Sequence, residues 1–430
     1  MADKSVITCD LEGRIETFNR GAAALFGWTP EEVVGKKRVS LFSPGLVVLE
    51  HVPRWLKGAV AAGSFETDTV FVRKDGAEFP AHIRVSPTRK RGQHVGYCGV
   101  THALPPDRIE GARPRISLGT HVFAALVVTR APFLTATLVP ALLGGALAAA
   151  SGRWSVTSFL LALTGALALH VAANTWNDLF DWRSGTDQGN NDYFLPFSGG
   201  SRAIELGLVG ERGLARIAWS ATAVAGGCGV ALVARGATLW LLPLGGLGAL
   251  LAYVYTAPPL RLAARRGLGE LSVGLAFGPL LVGGVFVASS AAQLSDLRSF
   301  FDAVWAPALS GVPLGLLTAN ILLVNEIPDA PSDARAGKNT LVVTHGARAA
   351  RALYGLSLVG ALAAHGLLVL GGWLPRGSLV ALLALPFAAR AWRTLSRHLG
   401  ERALVGANRD TIYLHLVYGA LLVGGTALGR

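Results

Sequence analysis

Asn174-Thr175-Trp176-Asn177-Asp178-Leu179-Phe180-Asp181 closes one long apolar run of this chain, and Asn325-Glu326-Ile327-Pro328-Asp329-Ala330-Pro331-Ser332-Asp333 closes another. Runs of this length span a bilayer, so the acidic groups at their ends pose a physical problem. A carboxylate at bilayer depth costs about 2.5–3.5 kcal/mol on insertion scales. Two such clusters in one chain call for a shared compensating partner, and a divalent cation held by oxygen ligands answers that need.

Working outward, 51% of the residues are hydrophobic and 15% charged, with a mean hydropathy of +0.45. That is more apolar than a soluble domain. The first hundred residues break the pattern, mixing charges with short alternating runs, whereas stretches of spanning length begin near Val122. The expected division is a soluble domain over 1–104, a proline-rich linker over 105–121 and a membrane domain over 122–430. About nine spans are expected: 122–150, 156–180, 214–234, 238–255, 268–289, 303–324, 349–373, 379–391 and 411–428, with Pro386 shortening the eighth.

The formal charge of +12 invites a nucleic-acid partner, but its distribution argues against one. Basic residues crowd alternate loops (Arg183, Arg202 and Arg212; Arg261, Arg265 and Arg266; Arg335, Lys338 and Arg348), while the intervening loops hold only Arg153, Arg235, Arg298 and Arg376. That is the mark of a multi-pass protein whose basic loops are cytoplasmic. Met1-Ala2-Asp3-Lys4-Ser5-Val6 lacks the basic start and apolar core of a secretory signal, so the soluble domain is expected in the cytoplasm, against the cell inner membrane. Cys9, Cys98 and Cys228 form no CxxC pair, which argues against both a disulfide framework and a zinc site.

This topology puts both acidic stretches on the cytoplasmic side, where they can face one another. Asn174, Asn177 or Asp178, and Asp181 recur at helical spacing and share one stripe. Asn325, Asp329 and Asp333 do the same, with Pro328 and Pro331 predicting a broken helix or a loop. Carboxylates from two helices hold Mg²⁺ incompletely, leaving positions for diphosphate oxygens, and the ion offsets charge as a diphosphate leaves an allylic carbon. Arg202, Arg335 and Lys338, in the adjoining loops, supply charge-assisted hydrogen bonds to the same group.

In the soluble part, 6–10, 14–19, 67–73, 78–86 and 95–101 alternate as strands, with helical segments after the second and a Lys74-Asp75-Gly76 turn. A five-stranded antiparallel sheet with helices on one face is expected, an α+β fold ahead of an all-α membrane domain.

Asn177-Asp178-x-x-Asp181-x-x-x-Gly185-x-Asp187, Ser198-Gly199-Gly200-Ser201-Arg202, Tyr255-Thr256-Ala257-Pro258-Pro259, Gly267-Leu268-Gly269-Glu270 and Asn325-Glu326-Ile327-Pro328-Asp329-x-x-x-Asp333 followed by Gly337-Lys338 resemble the UbiA-type membrane prenyltransferases. The resemblance covers about 130–430. It is strongest to the branch that prenylates 1,4-dihydroxy-2-naphthoate in menaquinone synthesis. It implies that Asp178, Asp181, Asp329 and Asp333 hold Mg²⁺ and carry the catalysis. Asn174, Asn177, Arg202, Tyr255, Arg261, Arg335 and Lys338 then bind substrate, which is a prenyl diphosphate donor or an aromatic, quinone-precursor or lipid acceptor.

The soluble part resembles a PAS sensor domain through Asp10-Leu11-Glu12-Gly13-Arg14-Ile15-Glu16-Thr17-Phe18-Asn19, Leu25-Phe26-Gly27-Trp28-Thr29-Pro30, Arg73-Lys74-Asp75-Gly76-Ala77-Glu78-Phe79 and Gly96-Tyr97-Cys98-Gly99-Val100-Thr101. Such domains bind a small ligand or pair as homodimers; the ligand here stays unknown. The competing reading is a membrane receptor that has lost catalysis and relays the sensor's state.

Overall fold

The computed structural model describes residues 4–43, 45–152, 154–189, 200–290, 296–399 and 401–429. Arg153, Ser198 and Gly199 of the sequence reading lie outside them. Two compact units divide the chain, Met1–Val128 with Arg202–Gly210, and Thr129–Ser201 with Glu211–Arg430.

In the first unit, strands β1 (Ser5–Asp10), β2 (Ile15–Phe18), β3 (Phe65–Val72), β4 (Glu78–Lys90) and β5 (Gln93–Ala103) form one antiparallel sheet in the order β2-β1-β5-β4-β3. Helices fill the crossing from β2 to β3. Arg20–Phe26 starts where Asn19 caps the Ala22 N–H and stops at left-handed Gly27, an ending that favours glycine because no Cβ clashes. Pro30–Val33 opens on a Thr29/Glu32 capping box. Gly45–Ala62, which the sequence reading did not separate out, follows with Pro53 inside it. The core gathers Ile15, Phe26, Phe42, Phe71 and Phe79, with the Phe26 ring 4.3 Å from that of Phe42 and 5.6 Å from those of Phe71 and Phe79. Each buried phenylalanine contributes about 1.5–3 kcal/mol of apolar transfer.

Residues 105–121, expected as a linker, hold the short helix Ile109–Ala112 and the start of Leu118–Val128. Arg113 pairs with Glu78 at 2.6 Å, and Glu50 accepts from the Ser117 N–H and the Thr120 hydroxyl.

The second unit is a helical bundle. Ala131–Ala150, Val156–Arg183, Glu211–Ala234, Leu268–Ser289, Leu341–Leu370, Arg376–Arg397 and Val405–Leu428 are each long and apolar enough to cross a membrane, which makes seven such helices among the described residues. Leu297–Ser310 and Val312–Arg335, bent by 54°, make an eighth if taken as one span. The expected ninth, over 238–255, is a helix of 14 residues, Leu241–Val254, which rises about 21 Å and falls short of the hydrocarbon core.

Two local expectations are corrected. The first span does not begin at Val122: the helix ends at Val128, Arg130 turns left-handed with φ 51°, and a new helix starts at Ala131 with Pro132 in its first turn, where a fixed φ and a missing N–H do no harm. Nor do Pro328 and Pro331 break the second acidic stretch, which lies inside the continuous helix Val312–Arg335. Each proline leaves the carbonyl four residues back without its N–H. Leu323, Val324 and Ile327 nevertheless pack with Val342, Tyr354 and Leu395 in one cluster, and this packing holds the helix straight through. The bend falls at Gly311 instead.

Glycines set how closely two of these helices meet. Gly274 and Gly278 on one face Gly315 and Gly311 on the other, four residues apart on each side; a Cβ on Gly315 would stand 2.2 Å from the Gly274 carbonyl, and one on Gly311 2.5 Å from that of Gly278. Small residues at this spacing let backbones touch where lipid supplies no hydrophobic drive. The contact seats the helix bearing Glu270 against the one bearing Glu326, Asp329 and Asp333.

Candidate active site

Three devices build the site. The first is the long helix Val156–Arg183, whose last turns present Asn174, Asn177, Asp178 and Asp181. The second is the end of Val312–Arg335. There the Gly337 N–H bonds the Ala334 carbonyl, the Lys338 N–H bonds that of Asp333 at 2.8 Å, and Gly337 is left-handed at φ +68°. This ending folds Lys338 back over Asp333. The third is the break at Thr129-Arg130, which frees an arginine between two helices.

Lys338 Nζ donates to Asp181 Oδ2 at 3.2 Å and lies 3.9 Å from Asp333 Oδ1, so one ammonium joins the two acidic helix ends. Burial alone would favour its neutral form, but the Asp181 and Asp333 carboxylates outweigh burial and hold it above the ordinary lysine range. Arg130 Nη2 donates to Asp178 and, at 3.0 Å, to Asn177 Oδ1. The Ser201 N–H reaches Asp178 Oδ1 at 3.4 Å. Gly200 is left-handed here, and a Cβ on it would stand 2.9 Å from Arg130 Nη2 and 3.1 Å from Asp178 Oδ1; any side chain would press on that ion pair. Asn174 Nδ2 bonds the Thr129 carbonyl at 3.2 Å, which ties down the break itself.

The remaining expected residues divide. Asp329 stands one turn before Asp333 and feels its charge. Tyr255, just past Leu241–Val254, is within electrostatic reach of Glu326, Lys338, Glu270 and Asp181. Arg261 forms no ion pair among the described residues, and Arg335 is the exposed last residue of its helix. Arg202 belongs to the first compact unit, where it pairs with Glu205 at 2.9 Å.

Glu270 and Glu326 stand within the motifs quoted above but were given no role there, and Arg130 was not singled out. The two glutamates are buried, with their carboxyls facing one another. A glutamate inside each apolar run was the available signal.

Asp178 Oδ2, Glu270 Oε1 and Glu326 Oε2 are buried without a hydrogen-bond donor. Such oxygens, beside carboxylates that outnumber the cations touching them, suit a hard divalent ion. No three histidine, cysteine or acidic groups among the described residues close on one point.

Residues 137–408 match the UbiA prenyltransferase family and residues 3–102 match the PAS domain. The 1,4-dihydroxy-2-naphthoate octaprenyltransferase of Mycobacterium tuberculosis is 31% identical over 274 residues, covering 63% of this chain and 85% of the relative. The 2-carboxy-1,4-naphthoquinone phytyltransferase of Synechocystis sp. is 28% identical over 307 residues, covering 70% and 92%. The apo structure of a UbiA homologue from Aeropyrum pernix K1 superposes with a TM-score of 0.54 at 18% identity, over 68% of this chain and 96% of that one, and shares its helical fold.

Proposed function

The chain belongs to the UbiA prenyltransferase family, and from that premise we propose that it joins the isoprenoid of a prenyl diphosphate to an aromatic quinone precursor of the dihydroxynaphthoate class, with Mg²⁺ as cofactor and the PAS domain as modulator. The observation that carries this reading is the meeting of Asp181 and Asp333 at Lys338, which puts two acidic helix ends at one place. Relatives named for naphthoate and naphthoquinone substrates support the acceptor class. The catalytically inert receptor has no comparable support.

Asp178, Asp181, Asp329 and Asp333 are the residues that would hold Mg²⁺. Once bound, the ion supplies charge neutralisation as the diphosphate departs. Arg130 and Lys338 stand at the same helix ends and donate charge-assisted hydrogen bonds to phosphate oxygens; Arg202 and Arg335 follow the two acidic stretches in the sequence and carry like charge. Asn174 and Asn177 orient these groups, while Tyr255 and Arg261 contact substrate from the loop after Leu241–Val254. The alternating arginine bias supports a cytoplasmic face for this site and for the PAS domain, in the cell inner membrane.

Purified full-length protein should be given farnesyl, geranylgeranyl and longer diphosphates together with 1,4-dihydroxy-2-naphthoate and 4-hydroxybenzoate, with and without Mg²⁺, and products read by mass spectrometry. A prenylated naphthoate-derived product formed only with Mg²⁺ is expected. Prenylation of 4-hydroxybenzoate alone would overturn the acceptor class, and full activity in chelator would overturn the metal.

A further inference from the structure

We propose that the sensor positions Asp178 through the segment Arg202–Gly210, which the helix Gly45–Ala62 holds in place; this rests on the reading of Asp178 as a Mg²⁺ ligand and of the PAS domain as modulator. The segment follows the first acidic stretch in the chain, yet it belongs to the sensor's compact unit, whereas Ser201, one peptide bond earlier, belongs to the helical bundle. A single covalent connection thus leaves the site and enters the sensor.

At the sensor end two backbones touch. Gly45 opens its helix without a left-handed φ, so its own conformation admits any residue. What excludes a side chain is the segment: a Cβ on Gly45 would stand 2.5 Å from the Gly207 carbonyl oxygen and 2.7 Å from that of Leu206. The segment is itself a closed turn. The Leu208 N–H bonds the Ala203 carbonyl and the Gly207 N–H that of Ile204, each at 2.9 Å, with Gly207 left-handed at φ 66°, the paired bonds of a Schellman ending. The Leu206 N–H adds a bond to the Arg202 carbonyl at 2.8 Å, and Arg202 Nη1 donates to Glu205 at 2.9 Å. So tied, the turn moves as one piece.

At the bundle end the chain lies on Asp178. Gly200 and Arg202 are both left-handed, at φ 76° and 54°, and a side-chain-bearing residue persists there only where its surroundings over-determine it. Between them the Ser201 N–H is directed at Asp178 Oδ1, which also accepts from Arg130. Oδ1 is therefore held from two sides, while Oδ2, buried and without a donor, is the oxygen left for a cation. Hydrogen bonds of this kind orient a carboxylate for its metal.

The helix Gly45–Ala62 joins this chain of contacts to the sensor's core. It packs on β3 and β4 with Val47, Trp55 and Ala59 buried, and Phe42, which packs on Phe26, stands three residues before Gly45. A rearrangement of that core which shifts the start of the helix shifts the segment, and with it the donor on Asp178.

The test compares full-length wild type, Gly45→Ala, Gly45→Val and, as control, Val60→Ala, an exposed position on the same helix. Alanine is a better helix former than glycine, so Gly45→Ala disturbs the contact without weakening the helix; thermal unfolding and near-ultraviolet circular dichroism verify the fold, and Gly45→Ala decides if valine unfolds the sensor. In chelator, without substrate, amide hydrogen exchange over 201–210 should quicken about tenfold in the Gly45 variants. With farnesyl diphosphate and 1,4-dihydroxy-2-naphthoate at limiting Mg²⁺, their transfer should fall about tenfold, within the usual range for coupled sites, and the Mg²⁺ concentration for half-maximal activity should rise. Val60→Ala should match wild type in every readout. Unchanged exchange over 201–210 in the folded Gly45 variants overturns the contact, and faster exchange with unaltered transfer and Mg²⁺ dependence overturns the coupling. Absence of transfer from wild type overturns the prenyl-transfer reading instead, while exchange still decides the contact.

Discussion

Lys338 is the residue on which the two acidic stretches meet, and its removal should be felt first as stability. Lys338→Met leaves Asp181 and Asp333 facing one another without a cation, a loss of about 3–5 kcal/mol for a buried pair broken on one side, read as a lower thermal midpoint that added Mg²⁺ partly restores. The lysine's folded value is raised, so its contribution is complete below the unfolded value of about 10.4 and fades only as pH rises through the folded one; stability should therefore not vary on its account near neutrality. Asp329→Ala should instead leave the protein folded and cut transfer by about a hundredfold or more, measured as product per folded protein; Asp178→Ala should cut transfer as far and also lower the midpoint, because it leaves Arg130 without its carboxylate. Unchanged turnover in both would contradict the roles given to them. In the sensor, burial pushes the Cys9 thiol up to about 12, against a smaller opposing hydrogen bond from the Tyr97 backbone. Iodoacetamide at about pH 8 should spare Cys9 in the native protein and modify it in the denatured one. The aspartates were legible in the sequence because a carboxylate closing an apolar run is chemically conspicuous. Arg130 was not, since an arginine beside a span reads first as a topology signal and only the break before Pro132 aims it inward.

At the scale of elements, the crossing of Leu268–Ser289 on Val312–Arg335 carries the most consequence. Gly315→Val sets a branched side chain against the Gly274 carbonyl, which is backbone and cannot step aside. The cost should reach the upper end of the roughly 1–3 kcal/mol typical of overpacking, and Glu270 should separate from Glu326. A lower unfolding midpoint together with reduced transfer is expected; a fully stable, fully active variant would show that the helices do not need this closeness. The crossing was hidden in the sequence because Gly274, Gly278, Gly311 and Gly315 sit among many other glycines, and spacing alone does not say which glycine meets which helix. Prolines misled for a related reason. Pro328 and Pro331 carry a strong local preference against helix, yet the packing of Val324 and Ile327 prevails over it. Periodicity in the soluble half was more faithful: every expected strand is present, β2 shorter, β3 shifted at both ends and β1, β4 and β5 longer, because alternation fixes a strand's face and leaves its ends to the partner strand.

For the whole molecule, composition alone separated a charged first part from an apolar second, and the compact units divide the main chain at Val128. Deleting residues 1–128 should preserve the reaction catalysed while altering rate, ligand response or oligomeric state, assayed beside the full chain with the same substrates. Loss of all transfer from a well-folded truncation would place part of the active site in the removed segment. The loops holding Asp181, Arg265, Asp333 and Arg402 should be shielded from a membrane-impermeant thiol reagent in a single-cysteine scan of intact cells, and labelling of any one from outside would break the proposed topology. The pairing of Arg130 with Asp178 and of Lys338 with Asp181 has a consequence for the life of the protein. A newly inserted chain finds Asp178 and Asp181 already accompanied, so chelation during synthesis should neither lower its yield nor mark it for proteolysis. On the proposed Mg²⁺ dependence, scarcity of the ion should then act as a reversible throttle on flux, with the amount of protein in the membrane independent of the magnesium supply.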